Sequence, residues 1–217
     1  MEIDKTAKET LTDPVLEFLE AAIHEFLFSW LVYPKESFEQ RVLYDIPIHM
    51  SRHPLLCEYI HSMLNGCRTW LLQGELEKLC VVLLCNEGRA TETLVIELVW
   101  IAALETTNFG KDHQRALGQL EEAFRMGMAA LVAAPVSHGA KIPDRNNMPQ
   151  TFRILAHTAE GTSSRENFMN DATASNSWVL ADPFWHKNQQ GHKKIIPVKT
   201  IHAEASLIQL NVYIEKQ

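Results

Sequence analysis

The chain has 217 residues, 46% hydrophobic and 22% charged, with a formal net charge of −7 from 20 Lys and Arg against 27 Asp and Glu. That is enough apolar material for one sizeable core, or at most two small ones, and the charge content excludes wholesale disorder. An acidic chain repels phosphate backbones and lacks the basic footprint of a direct nucleic-acid binder, so any action on DNA would pass through a partner. Residues 1–10 are charged and carry no apolar signal core. The apolar stretch 15–32 is interrupted by Glu17, Glu20, His24 and Glu25, which argues against a membrane span. Cys57, Cys67, Cys80 and Cys85 include no C-x-x-C pair, and a chain this long has no need of disulfide staples; a reducing compartment is expected.

Asp13-Pro14 reads as the start of a first helix, with Asp as cap and Pro in the first turn. Leu16, Leu19, Ile23, Phe26, Leu27 and Trp30 form its apolar stripe, and Tyr33-Pro34 stops it. A turn or short helix around Phe38 leads into an extended segment, 44–48. His53-Pro54 opens a second helix carrying Leu55, Tyr59, Ile60, Met63, Leu64, Trp70 and Leu71, with Gly74 as its stop. Residues 79–84 are continuously apolar, as in a strand buried on both faces; Asn86-Glu87-Gly88-Arg89 turns the chain, and 93–99 returns as the partner strand. Residues 106–110 read as a polar loop. A third helix runs from Ala116 through Leu120, Phe124, Met128 and Leu131 and ends before Pro135, and 151–157 is a third strand. From 159 to 177 the chain is rich in Glu, Ser, Thr and Asn. Short apolar clusters then return at Trp178-Val179-Leu180, Phe184-Trp185, 195–198 and 207–214, a pattern that predicts a C-terminal arm docked on the core.

Chemical signatures are sparse. No phosphate-cradling glycine loop occurs, and His24-Glu25 is not completed to H-E-x-x-H, so His24 reads as a helix-surface or boundary residue. The pairs His49/His53 and His186/His192 do not join a cysteine at zinc-site spacing, so no metal and no cofactor are expected. Cys80 and Cys85 read as small core residues. Ser51 and Ser137 sit in cap or loop contexts without a nucleophile elbow. Lys187, Lys193 and Lys194 with His186 and His192 read as a solvated basic loop. Trp178, Phe184 and Trp185 anchor the arm in the plainest reading; a rigid aromatic such as Trp178 is also suited to covering a bound segment.

An ordered series of blocks resembles a known family. Phe18-Leu19-Glu20 through Tyr33-Pro34, then Phe38, Arg41, Tyr44, Ile46-Pro47-Ile48, His53-Pro54, Leu56 and Tyr59-Ile60 are similar to the N-terminal half of a HORMA domain, and 74–82 to its helix-to-central-strand passage. Residues 152–158, 178–182 and 195–200 are similar to the branch formed by the accessory subunit of translesion DNA polymerase zeta rather than to the spindle-checkpoint branch. The resemblance spans 15–215. It implies an α+β HORMA fold, with three helices on an antiparallel sheet and a C-terminal safety belt. The chain would then divide into a tail (1–12), a core (13–158) and a belt (159–217) within one domain.

The resemblance further implies a non-catalytic adaptor in DNA damage tolerance, acting in the nucleus, with the cytoplasm left open as a second compartment. Its belt would clasp a proline-containing peptide of the polymerase zeta catalytic subunit. A second face would bind the C-terminal domain of a deoxycytidyl-transferase scaffold polymerase, and an AAA+ ATPase would remodel the domain. Tyr59 and Trp178 match peptide-contacting positions; Ile195 and Gln209 match the scaffold-polymerase face. Asn211 stands there in place of the usual Tyr, with Tyr213 two residues on along the same strand face. Glu122 replaces a basic residue used in self-association by the animal member, which leaves a homodimer open. A spindle-checkpoint or meiotic HORMA protein is the alternative within binding proteins, and a small soluble α+β enzyme the alternative of another class.

Overall fold

The computed structural model describes residues 5–101, 113–137, 151–159, 178, 193–202 and 208–216. In chain order the elements are α1 (Lys5–Ser29), a 3₁₀ turn (Lys35–Ser37), β1 (Phe38–Leu43), β2 (Ile46–Ser51), α2 (Pro54–Gln73), β3 (Leu76–Leu84), β4 (Ala90–Trp100), α3 (His113–Ser137), β5 (Thr151–Thr158), β6 (Lys194–His202) and β7 (Ile208–Lys216). The expected loop at 106–110, residues 138–150, the polar stretch 160–177, Phe184-Trp185 and the residues His186, Lys187 and His192 lie outside the described residues.

β3 and β4 pair antiparallel at the centre of a five-stranded sheet ordered β5-β3-β4-β7-β6, and β1 and β2 form a separate hairpin. The apolar run of β3 is buried on both faces, as its composition predicts. Leu79, Val81 and Leu83 join the helices in the main core, while Cys80, Val82 and Leu84 form a second cluster with Ala90 and Val95. Leu94, Ile96 and Leu98 of β4 and Ile208, Leu210, Val212 and Ile214 of β7 complete the sheet side of the main core. α1 packs between α2 and α3; Glu9, Asp13 and Glu17 keep its first half amphipathic, while residues 21–27 are buried on every side. Phe18 of α1 stacks on Phe124 of α3 at 4.7 Å, and Ile201 of β6 rests against α3 at Gly127. His53-Pro54 and Gly74 (φ 76°) bound α2 where the sequence placed them. Among the described residues no helix is long and apolar enough to cross a membrane.

Four local expectations are corrected. α1 starts at Lys5, well before Asp13, with Pro14 inside it, so part of the expected tail is helical. Leu11 and Val15 are fully buried, and Thr12 Oγ1 donates to the Lys8 carbonyl at 2.7 Å; this anchoring offsets a helix-interior proline cost of about 3 kcal/mol. α1 also ends early: Leu31 turns left-handed (φ 57°) and Val32 N–H bonds back to Leu27 O. α3 likewise runs through Pro135 to Ser137. Finally, 44–48 is not one extended segment. Tyr44 and Asp45 are the two central residues of a tight hairpin turn, with φ 50° and 58°, as a type I′ turn requires. Nothing local favours that conformation in Tyr44. Its hydroxyl donates to Glu17 at 3.1 Å and its ring sits 5.8 Å from Phe124, so tertiary contacts hold the turn.

His24 is fully buried rather than at a boundary. It and Glu25 fasten β2 to α1. His24 Nδ1 accepts from Ser51 N–H at 3.4 Å, and Glu25 accepts from His49 N–H at 2.8 Å and from Ser29 Oγ at 3.0 Å. Backbone donors of β2 that do not face β1 thus find partners on the helix. Burial, with a smaller contribution from the Arg41 charge, lowers the His24 pKa from 6.5 to about 4. The neutral ring therefore favours the folded state above pH 6.5, and that stability drains away as the pH falls from 6.5 to 4, because only the unfolded chain takes up the proton. At about 1.4 kcal/mol per pH unit the loss approaches 3 kcal/mol. Urea titrations at pH 7 and pH 4.5 should show a smaller difference for His24→Asn than for the wild-type chain; equal differences would remove His24 as the cause.

Candidate functional site

β5 ends the sheet order, and among the described residues it is hydrogen-bonded only to β3. Beside it lies a cavity of about 500 Å³ lined by Tyr33, Pro34, Ser37, Ser51, His53, Leu55, Leu56, Tyr59, Thr151 and Phe152. The start of α2 supplies one wall and the start of β5 the other. Its floor is aromatic: Phe152 meets Tyr59 edge-on at 5.9 Å and Tyr33 at 6.3 Å. Burial raises the pKa of both tyrosines, so their hydroxyls remain protonated donors at neutral pH. Leu55 (69%) and Tyr59 (41%) stay exposed. Large apolar side chains exposed along a groove next to a sheet edge are what an added strand can cover.

Trp178 lies further along the same helix. Its indole N–H donates to Met63 O at 3.0 Å, and its ring lies 5.7 Å from Trp70. Tyr59, Met63, Gly66 and Trp70 recur at i, i+4, i+7 and i+11, so one face of α2 carries both sequence-predicted residues, roughly 10 Å apart. Phe152 and Tyr33 were not singled out as site residues from the sequence, where Tyr33 read as a helix stop and Phe152 as part of a strand, and only the fold brings them to the groove.

The other four expected residues meet elsewhere. Gln209, Asn211 and Tyr213 share the face of β7 that points away from the helices, and Ile195 of β6, 62% exposed and paired with Glu215, joins them. Asn211 Oδ1 accepts from Thr200 Oγ1 and Gln209 Nε2 at 3.1 and 3.0 Å. Tyr213 hydroxyl donates to Glu97 Oε1 at 2.9 Å, and Lys78 pairs with the same oxygen at 2.8 Å. Glu122 sits exposed on α3, bonded to Arg125 Nε at 2.8 Å.

A hydrogen bond from the Glu87 backbone lowers the pKa of the Cys85 thiol. Burial pushes the Cys67 and Cys80 thiols up to about 12. Among the described residues no group of three His, Cys, Asp or Glu could hold a metal ion.

The class defined by three helices on this antiparallel sheet, with the C-terminal hairpin packed beside β4, is the HORMA fold. Within that class the chain resembles the accessory subunit of DNA polymerase zeta. It is 28% identical over 212 residues to "Mitotic spindle assembly checkpoint protein MAD2B" of Homo sapiens, covering 96% of this chain and 92% of that one. It is 26% identical over 200 residues to "DNA polymerase zeta processivity subunit" of Arabidopsis thaliana, covering 90% and 82%. Among solved structures, a chain of a mitotic checkpoint complex superposes with TM-score 0.72 at 17% identity, over 95% of this chain and 98% of the other. Caenorhabditis elegans HTP-2 bound to a HIM-3 closure motif superposes with TM-score 0.65 at 11% identity, over 97% and 91%. No family model matches the chain.

The Lys78–Glu97–Tyr213 network makes a checkable statement about the outer face. The Lys78 bond, with smaller help from Tyr213, holds the Glu97 carboxyl below the usual range. Carboxylate titration by NMR should show the Glu97 pKa rising in Tyr213→Phe and rising further in Lys78→Met. No change in either variant would mean that Tyr213 is not held by Glu97 in solution.

Proposed function

We propose that the chain is a non-catalytic adaptor that adds a partner peptide as an extra strand to the β5 edge and covers it with its C-terminal segment. The core and the belt, 13–158 and 159–217, act as one domain in this reading. The observation that carries it is the contrast between the two sheet edges. β6 is blunted by Pro197, by a register shift between Pro197 and Lys199, and by Lys194 and Lys199, all devices that discourage strand addition. β5 has neither Pro nor Lys, and an aromatic groove lies beside it. Backbone bonds along β5 would supply affinity, and the pocket formed by Tyr33, Tyr59 and Phe152 would supply selectivity for an apolar or proline side chain.

The partner that fits best is a proline-containing segment of the polymerase zeta catalytic subunit, given the relative named as a processivity subunit of that polymerase. Tyr59 and Trp178 would contact that peptide. Ile195, Gln209, Asn211 and Tyr213 would form a second surface, for the C-terminal domain of a scaffold polymerase. β5 and β7, which carries three of the four residues of the second surface, are three strand spacings or roughly 14 Å apart, so both partners could be held at once. Such bridging places the protein in translesion synthesis and in the nucleus, with an AAA+ ATPase as the remodelling partner.

A pair of variants tests the bridging geometry. Tyr59→Ala should speed dissociation of the polymerase peptide at least about tenfold, or roughly 1.4 kcal/mol, and leave scaffold-domain binding unchanged. Ile195→Glu should do the reverse. Surface plasmon resonance on both partners reads each effect. Equal losses in both variants would count against two separate sites. Capture of a checkpoint-activator peptide in place of the polymerase segment would keep the clasp and overturn the polymerase assignment.

A further inference from the structure

Halfway along α2 the helix face that carries Tyr59 has a notch. A Cβ built on Gly66 would lie 2.7 Å from Trp178 Nε1 and 2.8 Å from its Cδ1. The indole is rigid, so it could yield only by moving as a whole. It is also pinned from two sides, through its N–H bond to Met63 O at 3.0 Å and its contact with Trp70, itself 8% exposed. The acceptor is a carbonyl inside a helix, which keeps a second lone pair for such a donor.

We propose that Gly66 is a positioning residue of the peptide site: its missing side chain sets the depth at which Trp178 seats on α2, and thereby how closely the C-terminal segment is held to the Tyr59 groove. The proposal rests on the peptide-clasping reading and names a residue that this reading does not use. Gly66 touches no peptide in it and acts only through Trp178.

A purely local role makes the opposite prediction. α2 runs unbroken from Pro54 to Gln73, so Gly66 closes no turn. Glycine in a helix interior is unfavourable relative to alanine, and alanine at an open position would therefore strengthen the helix and disturb nothing else. At a seat, alanine strengthens the helix while lifting the indole. The two effects have opposite signs and separate readouts.

The full chain labelled with fluorotryptophan should give five fluorine resonances for its five tryptophans, and Trp178→Phe assigns one of them. In Gly66→Ala without any peptide, the Trp178 resonance should move while the melting temperature holds or rises. An unmoved Trp178 resonance overturns the seat, whatever the peptide does. With a fluorescein-labelled proline-containing segment of a B-family polymerase catalytic chain as probe, Gly66→Ala should release the bound peptide at least ten times faster than wild type. A moved resonance with unchanged release overturns the positioning role. In the double variant Gly66→Ala/Trp178→Phe the smaller ring relieves the clash, so release should be no faster than in Trp178→Phe alone; additive losses would overturn the coupling. If the wild-type chain retains no peptide at all, the clasping reading fails and the positioning role with it, while the fluorine signal still decides the seat by itself.

Discussion

Strand β3 is hydrogen-bonded to β4 along one side and to β5 along the other, and its side chains from Leu79 to Leu84 are buried on both faces. The centre of the sheet therefore has nothing left to offer a partner, and backbone recognition can occur only at an edge. Both edges exist because β3 is placed between β4 and β5, with the C-terminal hairpin added on the far side of β4. Had β6 and β7 packed beside β5, the groove flanked by Tyr59 and Phe152 would be filled by the chain itself. Among the described residues, the position of that hairpin sets β5 at one end of the sheet and the blunted β6 at the other.

Register carries the second constraint. β7 runs beside β4 from Glu92↔Lys216 to Trp100↔Ile208 without a shift. A slip of one residue would bring Gln209, Asn211 and Tyr213 into the main core and expose Ile208, Leu210, Val212 and Ile214, so burial fixes which side chains face outward. The outer surface is a by-product of core packing: its residues were free to become polar because they are every second position of a strand whose other positions are apolar. The Lys78–Glu97–Tyr213 bonds then order that surface across three strands without contributing to the helix-side core.

How much of this was legible in the sequence depended on how local each signal was. The unbroken apolar run at 79–84, the His53-Pro54 start and the Gly74 stop are decided by neighbouring residues, and the fold has them as read. The start of α1 was misplaced because Asp13-Pro14 is a strong local signal overruled by the burial of Leu11 and Val15. The Tyr44-Asp45 turn lacks the Asn-Gly or Asp-Gly pair that would advertise it and depends on Glu17 and Phe124, which are remote in sequence. His24 looked like a boundary residue because its partner, the Ser51 backbone, leaves no trace in composition. Family resemblance supplied Tyr59 and Trp178 as candidates. The seat that Trp178 occupies could be found only from coordinates, since Met63 and Trp178 are 115 positions apart.

The α2 helix links these observations to function. It contributes Ile60, Leu64, Cys67, Trp70 and Leu71 to the core, Tyr59 to the groove, and Gly66 to the seat of Trp178. A helix fixed by its core face is a rigid rod, so the distance from Tyr59 to the Trp178 seat cannot adjust. A peptide lying over Tyr59 and an arm held at Gly66 are therefore measured against the same ruler. Among the described residues, Trp178 is held to α2 by one hydrogen bond and one ring contact, against the nine-residue pairing of β7 with β4. In the proposed clasp, release of the peptide would begin with local opening of this contact.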